Sequence, residues 1–82
     1  MNDTAELVGS LEYVLSNLEA DIKEQQQHVD DWLQRVEFYD SEDWEAEAEL
    51  CRNILRQCME RLAFLKETRE KIERAIRLLA AG

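Results

Sequence analysis

From Trp44 to Leu79, apolar or small residues recur in alternating steps of four and three: Trp44, Ala48, Cys51, Leu55, Cys58, Leu62, Leu65, Ile72, Ile76 and Leu79. Only Arg69 interrupts the run. Ala48, Leu55, Leu62, Arg69 and Ile76 take heptad position a. Trp44, Cys51, Cys58, Leu65, Ile72 and Leu79 take position d. A seam of this kind puts one apolar stripe along a long helix, and that stripe needs a partner helix.

The first half of the chain supplies one. Val8, Leu11, Leu15, Leu18, Ile22, Gln25, Val29, Trp32, Val36 and Tyr39 form a second seam, with Val8, Leu15, Ile22, Val29 and Val36 at a. Extending its phase would place Asp43 at a and Ala46 at d, whereas the second seam needs Trp44 and Ala48. The phase jump marks a break near Asp40-Ser41. Asp40 or Ser41 suits a helix N-cap, and Glu42, Asp43 and Glu45 suit the positive end of a helix dipole. The rival is one continuous helix of about 75 residues with a phase slip inside it.

The expected fold is all-α: an antiparallel two-helix hairpin forming a single domain over residues 1–82. Helix 1 is expected over about 4–39, a turn at about 40–41, and helix 2 over about 42–80. Asp3 or Thr4 is a candidate cap for helix 1, with Glu6 completing a capping box. Met1 and Asn2 are expected to fray. The chain has no Pro and two Gly, which agrees with long helices. Gly9 falls at an outward position of helix 1.

A tight turn makes the helices antiparallel neighbours, so a should layer on d. A turn at residues 40–41 pairs Val36 with Trp44, Trp32 with Ala48, Val29 with Cys51, Gln25 with Leu55 and Leu18 with Leu62. It also sets Asp21 beside Arg61, Arg35 beside Glu47 and Glu12 beside Lys66, opposite charges in each case. Gln25 in the seam is a candidate register device. Arg69 is expected to snorkel outward. Cys51 and Cys58 are one heptad apart, about 10 Å along a helix. They cannot bond to each other and read as small buried residues.

Two helices leave part of the apolar surface uncovered. Position g carries Leu7, Val14, Ile54 and Ala75, and position c carries Phe38, Leu50, Phe64 and Leu78. The g flanks share one side of an antiparallel pair. Leu7, Val14, Leu50, Ile54, Phe64, Ala75 and Leu78 therefore make a candidate partner or dimer face. The e side carries only Leu33 and Met59. The simplest cover is a second copy, giving a homodimeric four-helix bundle. The other is a helical segment of a different protein.

Charge is unevenly spread. Residues 1–49 hold 15 acids and two bases, and residues 50–82 hold four acids and eight bases. Glu37, Asp40, Glu42, Asp43, Glu45, Glu47 and Glu49 stand within thirteen residues with no base among them. They form an acidic tip: either a solvated loop end, or a surface for a basic partner. Arg69, Lys71, Arg74 and Arg77 gather near the other end, where Asp3, Glu6 and Glu12 partly neutralise them. An uncompensated basic stripe is lacking, so nucleic-acid binding is not expected.

Chemistry finds little support. Glu24, His28 and Asp31 share a helix face, but a di-metal bundle needs Glu and Glu-x-x-His sets on several helices. There is no Gly-rich phosphate loop, no nucleophile–base pair and no Cys-x-x-Cys. The expectation is a non-enzyme with no cofactor and no metal. Without a signal-peptide pattern or an apolar run of spanning length, it is expected to be cytoplasmic. In helix order and length the hairpin is similar to the small helical-hairpin chaperones of bacterial secretion systems.

The function expected is that of a protein-interaction module: an adaptor, chaperone or regulatory inhibitor using the apolar face and the acidic tip. The alternatives are an acidic nucleic-acid mimic and an RNA-binding hairpin dimer, similar in topology to the ROP-type bundle. Arg52, Arg56, Arg74 and Arg77 would have to carry the RNA-binding role.

Overall fold

The computed structural model describes residues Asp3–Gly82. Two helices, α1 (Asp3–Ser41) and α2 (Glu45–Ala81), pack against each other as a hairpin. The molecule is a rod of 64 × 15 × 13 Å. The seams meet as their spacing demands. The buried positions are Leu18, Ile22, Val29 and Val36 on α1, and Ala48, Cys51, Leu62 and Leu65 on α2. All eight belong to the a and d sets. Leu55, Cys58 and Ile72 pack onto the central cluster. Both cysteines are free, Cys51 buried and Cys58 half-buried.

The turn lies further along the chain than its sequence suggests. α1 runs through Ser41, and residues 42–44 make the connection. Asp43 adopts a left-handed backbone with φ 58°. Its N–H donates to the Asp40 carbonyl (3.2 Å), and the Trp44 N–H donates to the Tyr39 carbonyl (3.0 Å). These two bonds make a Schellman motif, which ends a helix by satisfying its last carbonyls. The left-handed site usually holds Gly. Here Asp holds it, and Asp is one of the few other residues that tolerate it. Asp40 and Ser41 therefore do not cap α2. The Ser41 hydroxyl donates to the Phe38 carbonyl inside the last turn of α1. Trp44 stands at the α2 N-cap without a side-chain bond, and Glu45 and Glu47 are the first-turn acids.

Moving the turn moves the register. Gln25 Nε2 donates to the Cys58 carbonyl at 3.0 Å, one layer beyond the Leu55 that a turn at 40–41 would set against it. Asp21, Glu24 and Gln25 line a groove with Arg61 and Leu65, and Gln26 and Val29 line one with Met59, Leu62 and Ala63. Each α1 position thus faces a residue about one heptad further along α2. Val29 comes to Cys58 and Ile22 to Leu65, within the same apolar cluster. A slip of seven residues keeps a on d, so the core survives it.

The pairings around it do not. Trp44 is half exposed and stacks on Tyr39 at the end of α1 rather than filling a layer of the core. None of the pairs Asp21–Arg61, Arg35–Glu47 and Glu12–Lys66 forms an ion pair; Arg35 instead lies over the Trp32 ring at 4.2 Å. Arg69 is one-third exposed and reaches Glu73 at 3.7 Å, the outward path expected of it.

At the open end, Asp3 and Thr4 are already helical, so neither occupies a cap position. The fraying expected of Met1 and Asn2 lies outside the described residues. The Gly82 N–H closes α2 on the Leu78 carbonyl, and no base falls in the last turn of that helix.

Candidate partner-binding face and acidic tip

The helical spacing that buries the seam also sets what remains outside. Leu7, Val14, Leu50, Phe64 and Leu78 are exposed, from 47% at Val14 to 69% at Leu78. Ile54 and Ala75 lie deeper, half-buried between them and the seam. Phe38 is exposed on the same flank. Large exposed apolar side chains recur along this one flank of both helices, which a single hairpin leaves uncovered. The other flank is not bare: Met59 is exposed above a shallow apolar groove lined by Leu55, Ala63 and the stems of Arg52 and Arg56.

At the tip, all seven predicted acids are exposed. They are not free of bases, however. Arg52, three residues past the run, folds back over it. Its Nη1 donates to Asp40 Oδ1 at 2.8 Å and its Nη2 to Glu49 Oε2 at 3.2 Å, with Glu45 at 4.0 Å. Those hydrogen bonds, Asp40 first, raise the guanidinium pKa above its ordinary value. Asp40 and Glu49 are thereby partly neutralised. Glu37, Glu42, Asp43 and Glu47 point to solvent without an ion pair among the described residues.

Sequence reasoning missed an aromatic cluster here. Trp44 stacks on Tyr39 with centroids 5.7 Å apart, and Phe38 meets both rings edge-on at 5.4 and 6.2 Å. Trp44 fits the four-three spacing of the seam, but it stands directly after a run of acids at the phase break, and that place is the signal that sets it in the turn. The tip is thus an aromatic knob with carboxylates around it.

Arg52 is occupied by carboxylates, and Arg56 donates to Asn53 Oδ1 at 2.9 Å, so the two arginines do not form an open pair for phosphates. His28 Nε2 lies 4.0 Å from Glu24, and Asp31 accepts from Gln27. Among the described residues, no three His, Cys, Asp or Glu side chains gather as a metal set. No helix among them is long and apolar enough to cross a membrane. Comparison with protein-family models, curated proteins and solved structures gives no match for this chain.

Proposed function

We propose that the chain is a non-enzymatic protein-interaction module that binds a partner along its g-side apolar face. The observation that carries this is the exposed stripe of Leu7, Val14, Leu50, Phe64 and Leu78 on a rod with no third layer of its own. The acidic, aromatic tip is a second contact zone, which favours a partner with a basic patch. An adaptor, a chaperone or a regulatory inhibitor would each use such a surface. The nucleic-acid mimic is weaker, because Arg52 ties up Asp40 and Glu49, two of the carboxylates a mimic would present.

The test is capture from nuclease-treated lysate, run with the native chain and with Leu7→Ala, Ile54→Ala and Phe64→Ala combined. A protein held stoichiometrically by the native chain and released by the variant supports the reading; a second copy of the chain counts as that protein. Capture by both alike, or neither capture nor self-association by the native chain, overturns it.

A further inference from the structure

We infer that the hairpin exchanges between two registers: the one described above, and a second in which each α1 residue faces the α2 residue seven positions earlier. A heptad slip keeps a on d, so the seam is continuous in both. In the second register Leu18 leaves the level of Arg69 for that of Leu62, and Val8 leaves Leu79 for Ile72. The exchange belongs to the free chain and goes beyond the interaction reading.

Flank charges carry the inference. Glu12, Asp21 and Arg35 on α1, and Glu47, Arg61 and Lys66 on α2, make no ion pair among the described residues. The observed register faces Glu19 with Lys66. It also sets like charges level with each other: Glu12 with Glu73, and Asp40 with Glu45, which Arg52 bridges. The slip faces Glu12 with Lys66, Asp21 with Arg61 and Arg35 with Glu47, and brings no like charges face to face along either flank. These residues do not set the observed register. They are complementary in the other one, at the e and g positions that choose pairing in coiled coils.

The turn is a second, independent observation. Asp40 lies in the last turn of α1, with Glu42 and Asp43 directly after it. That is the negative end of the α1 dipole, and no base falls in the last turn. Asp43 holds a left-handed backbone that Gly takes more easily. The slip moves the break back to about Asp40-Ser41. The same acids then lead α2, at the positive end of its dipole. Trp44, half exposed in the observed register, enters the seam beside Val36.

Against the slip stand the Tyr39–Trp44 stack, the Arg52 bond to Asp40 and the Gln25 bond to the Cys58 carbonyl, all made in the observed register. They keep the second register minor, within the roughly 0.1–10% typical of an alternative state. The exchange moves α1 about 10 Å along α2, seven residues at the helical rise. Exposed apolar residues of the two helices pass each other by that distance, so a ligand seated across both helices selects one register.

The native cysteines report the register. Val29→Cys stands against Cys58 in the observed register and against Cys51 in the second, and a disulfide needs Cα atoms within roughly 7 Å. The variant is equilibrated at low concentration in a glutathione redox buffer, its helicity is checked by circular dichroism, and its bonds are mapped by tryptic mass spectrometry. Both bonds are expected, with Cys58 the major partner. Adding Arg52→Gln is expected to raise the Cys51 bond several-fold, and adding Arg61→Glu to lower it. Bonding to Cys58 alone, with and without Arg52→Gln, overturns the inference. If Val29→Cys fails to fold or bonds neither cysteine, saturation-transfer NMR of the Trp44 indole in the native chain decides: a minor exchanging peak is expected, and its absence overturns the inference.

Discussion

Trp44 stacks on Tyr39, its ring 5.7 Å away and 26° from parallel, while its backbone N–H donates to the Tyr39 carbonyl. The stack is the apolar contact that often accompanies a Schellman ending, here between two aromatic rings. Replacing Trp44 by Ala is expected to cost about 0.5–1.5 kcal/mol from the lost ring pair, beyond the area it covers. Urea unfolding followed by circular dichroism measures it. An unchanged midpoint would show that the stack does not hold the turn.

The residue before it offers the opposite change. Asp43 bears the left-handed φ of 58°. Gly adopts that conformation without a Cβ penalty, so Asp43→Gly is expected to stabilise by up to about 1 kcal/mol. Asp43→Val is expected to destabilise by more than Gly gains, since a branched side chain resists this region. Gly9 calls for the reverse substitution. A Cβ built there meets nothing within 4 Å on an exposed helix face, so Gly9→Ala is expected to add about 1 kcal/mol. Melting curves for the three variants check both positions.

Gln25 is a polar residue in an apolar seam, bonded to the Cys58 carbonyl. Gln25→Leu is expected to raise the unfolding midpoint, because a seam amide gives register at a cost in stability. The same variant is expected to show extra amide resonances from slipped pairings. A single set of resonances would place register control elsewhere.

Leu62 and Phe64 separate core from face. Leu62 is buried, and Leu62→Ala is expected to cost about 2–5 kcal/mol. Phe64 is 60% exposed, so Phe64→Ala is expected to change little in the isolated hairpin and to show its effect through association. Unfolding curves over a range of protein concentration distinguish the two.

Arg52 predicts a dependence on salt rather than on pH. Its folded pKa is raised, so its contribution is complete below the unfolded pKa and lost only above it, in strong base. Across the neutral range the arginine adds no slope. Arg52→Gln is expected to lower the melting temperature slightly at low ionic strength, with the difference fading in high salt. A difference that survives high salt would point to packing of the Arg52 stem.

The helices and their seams were legible because burial imposes the four-three spacing on any sequence that makes such a pair. Ala48, Cys51, Leu62 and Leu65 are buried where that spacing puts them. The register was not legible for the same reason. A heptad repeat maps onto itself after seven residues, so Leu18 matches Leu62 as well as Ile22 matches Leu65. Opposite charges such as Asp21 and Arg61 fit an alignment one heptad off, yet form no ion pair in the fold, so they do not select the register. Only the turn could decide it, and Asp43 hides the turn by holding a conformation usually signalled by Gly. Exposure of the g-side stripe followed from the wheel, but the fold of Arg52 over the acids did not, since it needs the tip geometry.

The placement of that turn also orders the making of the hairpin. Joining α1 to α2 at residues 42–44 closes a very short loop, whereas bringing Leu11 to the end of α2 first would close nearly the whole chain, at a larger entropic cost. Once the tip is joined, each further layer is a neighbour of one already formed, as in a zipper. Folding should therefore run from the aromatic knob toward the open end. Amide exchange should retrace that path, fastest near Val8 and Leu79 and slowest beside the buried layers between Leu18 and Val36.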